Sequence, residues 1–216
     1  YHLDAARQKG YTGKGVTIAL IDGPVDTSAP ELAGANITDK SRCTIEDSPA
    51  GVRHGTDMAI FLVSPYTGVA PDATLYSYQT ANVDSVSPGT CTSNGLRLDT
   101  MAILINQAID DGAQIISISQ GTPEGSSELQ WALTRAMSEG VIVVASAGNT
   151  ASDNSLEQLI RWSGVVGVSA INSDGTFASY SSWGNGVVTA AFGGPVNTID
   201  PNTGAPTTAS GTSNST

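Results

Sequence analysis

The chain has 216 residues, of which 39% are hydrophobic and 13% are charged, and its formal net charge is −11. This length suits one α/β domain with a substantial core, and the composition excludes a chain that is disordered throughout. No apolar run is long enough for a transmembrane helix, so we expect no membrane insertion. A surface this acidic repels phosphate groups, which argues against nucleic-acid binding and favours cationic substrates.

The first half of the chain contains one predicted strand, one predicted helix and one predicted loop. The strand is GVTIALID (Gly15 to Asp22), an apolar run rich in β-branched residues. His54 opens the predicted helix, RHGTDMAIFLV. The stretch from Ala81 to Gly95 is predicted to be a loop, because it contains proline, glycine and many small polar residues.

Helices and strands alternate in the second half of the chain. Apolar residues recur at helical spacing over 98–112 and over 126–140, and a glycine ends each of these predicted helices. The predicted strands are AQIISISQG, GVIVVASAGN and GVVGVSAI, and a turn-rich tail runs from 193 to 216. The alternation predicts a single α/β domain, a three-layer sandwich with a mainly parallel central sheet.

Polar residues that suit acyl transfer occur where these elements begin or end. Asp22 ends the first strand, Asn149 follows another, His54 precedes a helix and Ser213 lies in the tail. In open α/β sheets, functional groups collect at the carboxyl ends of the strands. A serine becomes a nucleophile when a base such as histidine removes its proton, and a buried carboxylate orients that histidine. A side-chain amide then donates a hydrogen bond to the oxyanion of the intermediate.

Seven segments between Gly10 and Ser213 resemble segments of the subtilases, the subtilisin-like serine peptidases, and they occur in the same order. They are GYTGKGVTIALID, HGT, GVAPDATLYSY, IISISQG, VIVVASAGN, VVGVSAINSDGTFASYSSWG and SGTS. The resemblance implies a serine endopeptidase in which Asp22, His54 and Ser213 form the catalytic triad. It also implies that Asn149 and the backbone N–H of Ser213 form the oxyanion hole, and that no cofactor is required.

The resemblance further assigns residues that bind a peptide or protein substrate. One segment would pair with the substrate backbone as an added strand, and another would form a wall of the S1 pocket. The matching residues are Ser119, Gln120 and Gly121 in the first segment, and Ala145, Ser146, Ala147 and Gly148 in the second. Gln120 stands where the family often has an apolar residue, which predicts a more polar subsite. We also hypothesise that Glu157 or Asp153 favours a basic residue at P1.

The sequence departs from the family pattern at two places before the predicted strands of the second half. DGPVD, which starts at the triad residue Asp22, resembles the subtilases that mature cyanobactin-type ribosomal peptides. It favours, as an alternative, a site-specific maturation protease or macrocyclase for a ribosomal precursor peptide. The stretch FLVSPYTGVAP lacks the Asn-rich calcium loop of many relatives, so we predict no metal at that site.

The resemblance places Ser213 at the start of a long buried helix, but the sequence ends at Thr216. It therefore predicts that residues 1–216 are a C-terminally incomplete peptidase domain whose last helix layer is missing. The protein's own C-terminal fragment or a propeptide is then a predicted partner. A further alternative is an inactive fragment that serves as a peptide-binding scaffold. Asn214 and Ser215 also stand where the family usually has small or apolar residues.

The two cysteines, Cys43 and Cys91, permit one disulfide bond or two independent thiols. Both lie in polar, turn-rich stretches, which favours the bond. In the family these stretches border the substrate cleft, so a Cys43–Cys91 bond would tie its two rims together. A disulfide bond and the habit of the family predict a secreted, extracellular enzyme, whereas a peptide-maturation role predicts a cytoplasmic one.

Overall fold

The computed structural model describes residues 3–80, 91–121, 126–153, 159–200 and 202–216. Its helices are α1 (Leu3–Gln8), α2 (Pro49–Val63), α3 (Met101–Asp110) and α4 (Ser127–Ser138). Its strands are β1 (Thr17–Asp22), β2 (Asn36–Asp39), β3 (Thr74–Gln79), β4 (Thr92–Ser93), β5 (Leu96–Arg97), β6 (Ile115–Ile118), β7 (Ile142–Ser146), β8 (Val165–Ile171), β9 (Val187–Phe192), β10 (Val196–Ile199) and β11 (Pro206–Ala209). Short 3₁₀ turns span Pro30–Leu32, Leu159–Arg161 and Thr212–Ser215.

A seven-stranded sheet in the order β2-β3-β1-β6-β7-β8-β9 forms the centre of the fold. Neighbouring strands within it run parallel, and β1 lies between β3 and β6. Two antiparallel ribbons, β4–β5 and β10–β11, lie outside this sheet. The predicted α/β fold with a mainly parallel central sheet is therefore confirmed, and the carboxyl ends of its strands share one edge.

Alternate side chains of β1 serve two different hydrophobic cores. Ala19 and Ile21 belong to the core that includes α3 and α4, whereas Ile18 and Leu20 belong to the core that includes α2. Because successive residues of a strand point to opposite faces, β1 is buried on both sides. This burial explains why the sequence of β1 is a continuous apolar run rather than an alternating one.

Helix α2 begins earlier in the chain than the sequence predicts. Ser48 is its N-cap, with its side chain accepting a hydrogen bond from the N–H of Gly51, and Pro49 occupies the first helical position. Both features favour a helix start, and His54 is the sixth residue of the helix. The prediction that His54 opens the helix is therefore wrong, and the imidazole projects from the second turn.

The predicted loop over 81–95 and the turn-rich tail each contribute to a short ribbon. In the described part of 81–95, Thr92 and Ser93 pair with Leu96 and Arg97. The connecting Asn94 and Gly95 have φ angles of 52° and 77°, the positive values that a tight hairpin turn of this kind requires. The tail likewise forms the β10–β11 ribbon. Residues 81–90 lie outside the described residues. Among those described, no helix has the length and apolar character to cross a membrane.

Candidate active site

Gly55 allows α2 to approach the turn after β1, and Gly51 leaves room for the side chain of Asp47. A Cβ atom at Gly55 would lie 2.5 Å from the carbonyl oxygen of Gly23 and 2.6 Å from that of Pro24. A Cβ atom at Gly51 would overlap the carboxylate of Asp47, as close as 2.3 Å. A larger residue at Gly55 would separate α2 from the turn after β1, whereas one at Gly51 would first meet the Asp47 side chain. Gly55 therefore limits how close His54 comes to the end of β1.

This approach joins His54 to Asp22 across the interface between α2 and β1. The imidazole Nδ1 of His54 lies 2.8 Å from Asp22 Oδ1. The Asp22 side chain is completely buried, whereas the His54 side chain is 35% exposed. The N–H of Gly23 also donates to Asp22 Oδ1, at 2.7 Å. A buried carboxylate thus fixes one imidazole nitrogen, while part of the imidazole remains open to solvent.

Ser213 lies in the 3₁₀ turn Thr212–Ser215, which contacts α2 and the strands β7, β8 and β9. Its hydroxyl group donates to the carbonyl oxygen of Ser119 at 2.9 Å. In return, the Ser119 hydroxyl donates to the Ser213 carbonyl oxygen at 3.2 Å. Because Ser119 follows β6, these bonds fix the serine turn to the same sheet edge that carries Asp22.

The serine turn is held by 3₁₀-type backbone bonds and by polar side chains. The N–H of Asn214 donates to Gly211 and that of Thr216 to Ser213, so both are i to i−3 bonds typical of a 3₁₀ turn. Asn214 Nδ2 donates to the Gly193 carbonyl at 3.1 Å, and the Ser215 hydroxyl to the Ala191 carbonyl at 3.0 Å. These polar side chains therefore attach the turn to the end of β9.

The carbonyl oxygen of Gly193 accepts several hydrogen bonds next to the serine turn. It accepts from the N–H of Gly211 at 2.8 Å and from the hydroxyl of Tyr180 at 3.0 Å. Burial raises the pKa of Tyr180 above its ordinary value, which extends the pH range in which the hydroxyl is a donor. The segment that leads to Ser213 is thus anchored two residues before the serine.

Asn149 is oriented by the residue that precedes Ser213. Its Oδ1 accepts the backbone N–H of Thr212 at 2.8 Å and the Thr212 hydroxyl at 3.0 Å. The same Thr212 hydroxyl accepts the N–H of Gly148 at 3.0 Å. Because its oxygen is engaged, the exposed Asn149 side chain has its amide nitrogen available as a donor.

The two segments assigned to substrate binding lie at neighbouring strand ends. Ser119, Gln120 and Gly121 follow β6, and Ser119 is buried while Gly121 is exposed. The Gln120 amide donates to Asp22 Oδ1 at 3.2 Å, so its polar group contacts the carboxylate. The second segment spans the end of β7 and the turn after it, because Ala145 and Ser146 are in the strand and Ala147 and Gly148 follow it.

The residues hypothesised to favour a basic P1 side chain are only partly described. Glu157 lies outside the described residues. Asp153 forms an isolated parallel bridge with Trp183, beyond the end of β7. The hypothesis on P1 therefore stays a prediction.

Cys43 and Cys91 are joined by a disulfide bond, with their Cα atoms 5.9 Å apart. Cys43 precedes α2, and Cys91 precedes the β4–β5 ribbon, so the bond closes a loop of the chain with a sequence separation of 48. Ile45 is fixed nearby, because its N–H donates to Gln79 Oε1 at 2.9 Å. The bond therefore connects the segment before the His54 helix to the segment after β3.

Sequence reasoning missed Thr212, Gly51 and the contact between Gln120 and Asp22. Thr212 is completely buried, although it stands between glycine and serine in a segment that reads as a loop. No pattern in the sequence indicates that a threonine is buried between a hydrogen-bond acceptor and a donor. The pair Gly51 and Gly55, four residues apart in a helix, was the one available sign of a close approach.

The sequence profile of the subtilase family, peptidase family S8, matches residues 13–216. Subtilisin E from Bacillus subtilis (strain 168) is 31% identical over 192 residues, which are 84% of this chain and 47% of that protein. The chain thus spans about half the length of the curated relatives that it matches first.

Two solved structures have the same fold. The patellamide maturation protease PatA matches with a TM-score of 0.75 and 26% identity, over 94% of this chain and 75% of that one. The prenylagaramide maturation protease PagA matches with a TM-score of 0.77 and 24% identity, over 99% and 75% of the two chains. The family profile, the subtilisins and these folds agree, and the chain belongs to the subtilase family.

Proposed function

We propose that the chain is the catalytic domain of a serine endopeptidase, with Ser213 as nucleophile and His54 as general base. The observation that carries the proposal is the 2.8 Å contact between His54 Nδ1 and a completely buried Asp22. It fixes Nδ1 as the protonated nitrogen, because a carboxylate accepts a hydrogen bond. Nε2 is then the lone-pair nitrogen that accepts a proton from the serine.

The first half of the reaction forms an ester on Ser213. The serine oxygen attacks the carbonyl carbon of the peptide bond while its proton moves to His54 Nε2. The Ser213 hydroxyl donates to Ser119 in the free protein, so the hydrogen must turn from that carbonyl towards His54. His54 then gives the proton to the leaving amine, and the C–N bond breaks.

The amide nitrogen of Asn149 and the N–H of Ser213 would stabilise the oxyanion of the tetrahedral intermediate. Thr212 already holds Asn149 in a fixed orientation, so little reorganisation is required when the negative charge develops. In the second half, water attacks the ester with His54 again as base, and the acid product leaves with Ser213 restored.

The substrate would lie in extended form along the residues that follow β6. In this arrangement the chain adds a strand, whose main-chain hydrogen bonds give affinity. The wall formed by residues 145–148 would enclose the P1 side chain. We therefore propose a peptide or protein substrate, and we assign the peptidase domain to residues 1–216.

Two measurements on the full-length protein that contains this chain test the proposal. A fluorophosphonate probe is expected to label Ser213, and an unstructured protein such as casein is expected to be cleaved. Ser213→Ala should abolish both, whereas Ser215→Ala, a hydroxyl loss on the same turn, should retain labelling. A folded full-length protein whose Ser213 does not react would contradict the proposal and would favour the peptide-binding scaffold.

A second candidate function is the site-specific maturation of a ribosomal precursor peptide. The motif DGPVD begins at the last residue of β1, and a patellamide maturation protease is similar in structure and 26% identical. Incubation with casein and with a set of precursor-like peptides distinguishes the candidates. Cleavage of one peptide at one bond, or its release as a ring, supports maturation, whereas cleavage of casein at many sites supports general digestion.

We propose an extracellular location, because a disulfide bond persists in oxidising compartments. Maturation of a precursor peptide would instead require a cytoplasmic protein. Fractionation of the producing cells, with detection of the protein by antibody, distinguishes these locations. A propeptide or a C-terminal fragment remains a proposed partner, which intact mass of the purified protein would reveal.

A further inference from the structure

The hydrogen bonds of the Asp22 carboxylate converge on one oxygen. Oδ1 accepts from the N–H of Gly23 at 2.7 Å, from His54 Nδ1 at 2.8 Å and from Gln120 Nε2 at 3.2 Å. Oδ2 is buried and has no hydrogen-bond partner among the described residues. Each donor withdraws negative charge from the oxygen that faces the imidazole. The charge available to His54 therefore depends on how many donors share Oδ1.

Gln120 is a different kind of donor from Gly23, because it is a side chain from another strand. Ile118, the last residue of β6, is in register with Ile21 of β1, so the residues after these two strands lie side by side. Gln120 is half-buried at this edge. The carbonyl oxygen of its neighbour Ser119 accepts a hydrogen bond from the hydroxyl of Ser213. One short segment thus contacts both the carboxylate and the serine of the proposed triad.

We infer that Gln120 is a positioning residue for the proposed peptidase reaction, acting through Asp22 on His54. Its amide nitrogen holds Oδ1 in line with the imidazole and limits the negative charge that Oδ1 presents to it. The inference rests on the proposed function. It assigns the polar group of Gln120 to the triad rather than to a substrate subsite.

The amide donor of Gln120 affects how readily His54 accepts a proton. Without the amide donor, Oδ1 presents more negative charge to His54 and stabilises the protonated imidazole. The reaction requires the neutral imidazole as base, so activity at low pH falls. We expect the acidic limb of the kcat/KM profile to move to higher pH, by about 0.5–1 pH unit.

Other charged groups on the surrounding elements are unchanged by a substitution at position 120. Asp47 precedes α2 and lies close to the turn after β1, and Arg53 is paired with Asp57 on α2 itself. In the described part of the chain, Asp26, Asp47 and Arg53 line a common cavity beside α2. A change in the pH profile is therefore attributable to the residue at 120.

Two substitutions of similar shape test the inference in the full-length protein. Gln120→Met keeps the length of the side chain but removes the donor, and we expect a lower kcat, a nearly unchanged KM and the shift given above. Gln120→Glu keeps the shape but places a carboxylate beside Asp22, so the shift should be larger and in the same direction. Changes in KM and peptide preference with an unchanged acidic limb would assign Gln120 to a subsite and overturn the inference.

A second readout does not depend on activity. The sequence contains only His2 and His54, so a His2→Gln background leaves one imidazole whose titration NMR can follow. The titration midpoint of His54 should rise in Gln120→Met by about 0.5–1 pH unit. If the His54 midpoint rises but the parent protein has no peptidase activity, the proposed function is refuted and the role of Gln120 is not. Activity without any change in the midpoint, in variants with unchanged thermal unfolding, would refute the role of Gln120.

Discussion

Thr212 is not itself assigned to substrate contact, and we expect Thr212→Val to impair the proposed oxyanion hole. The hydroxyl of Thr212 is completely buried, donates to Asn149 Oδ1 at 3.0 Å and accepts from the N–H of Gly148 at 3.0 Å. Valine has the same shape but makes neither bond. The backbone N–H of Thr212 still holds Asn149 at 2.8 Å, so the amide is loosened rather than released.

The expected losses of stability and of kcat in Thr212→Val follow from these contacts. Loss of the acceptor leaves the Gly148 N–H without its partner, which costs about 1–3 kcal/mol of unfolding free energy. For a chain of this length each kcal/mol lowers Tm by about 2–4 °C. Complete loss of an oxyanion donor typically lowers kcat by about 10²–10³, so loosening of Asn149 should lower kcat by roughly tenfold.

Steady-state hydrolysis of a chromogenic peptide measures this effect. We expect kcat to fall while KM stays nearly constant. The oxyanion forms in the transition state and the tetrahedral intermediate and is absent from the bound substrate. Thr212→Ser retains the hydroxyl and is the matched control, with kcat close to the parent value. In an Asn149→Ala background, Thr212→Val should have almost no further effect on kcat. Equal kcat values for the valine and serine variants, or an undiminished loss in the Asn149→Ala background, would refute the reasoning.

Three further predictions concern the scaffold. Gly55→Ala places a Cβ against two backbone carbonyls. We expect about 1–3 kcal/mol of destabilisation in thermal unfolding. We also expect kcat/KM for peptide hydrolysis to fall on the order of 10²-fold, because His54 is displaced. Replacement of both Cys43 and Cys91 by serine should cost about 2–4 kcal/mol in a denaturant titration; an unchanged midpoint would contradict this. Burial and its bond to Asp111 raise the pKa of Tyr78 well above the usual value, so its contribution to stability is complete below pH 10 and declines above about pH 10. Tyr78→Phe should make the alkaline loss of Tm smaller.

Much of the architecture follows from local patterns in the sequence. The apolar runs of β1, β6 and β8 have buried residues on both faces, so their composition alone indicates strands of a parallel sheet. Glycines at the ends of the two later helices mark their termination for a conformational reason. Gly112 and Gly140 have φ angles of 84° and 76°, which other residues adopt only with strain. These features are local, and sequence reasoning therefore identified them.

Contacts between distant residues required the tertiary structure. Ser48 and Pro49 started α2 earlier than the apolar pattern indicated, because capping depends on one side-chain bond rather than on periodicity. The contact between Gln120 and Asp22 joins residues separated by 98 positions. The residue types and their order along the chain determined the family and the candidate chemistry. Only the register of β1 against β6 and the close packing of α2 decided which polar atoms meet, because side chains far apart in sequence interact solely through the packing of the elements that carry them.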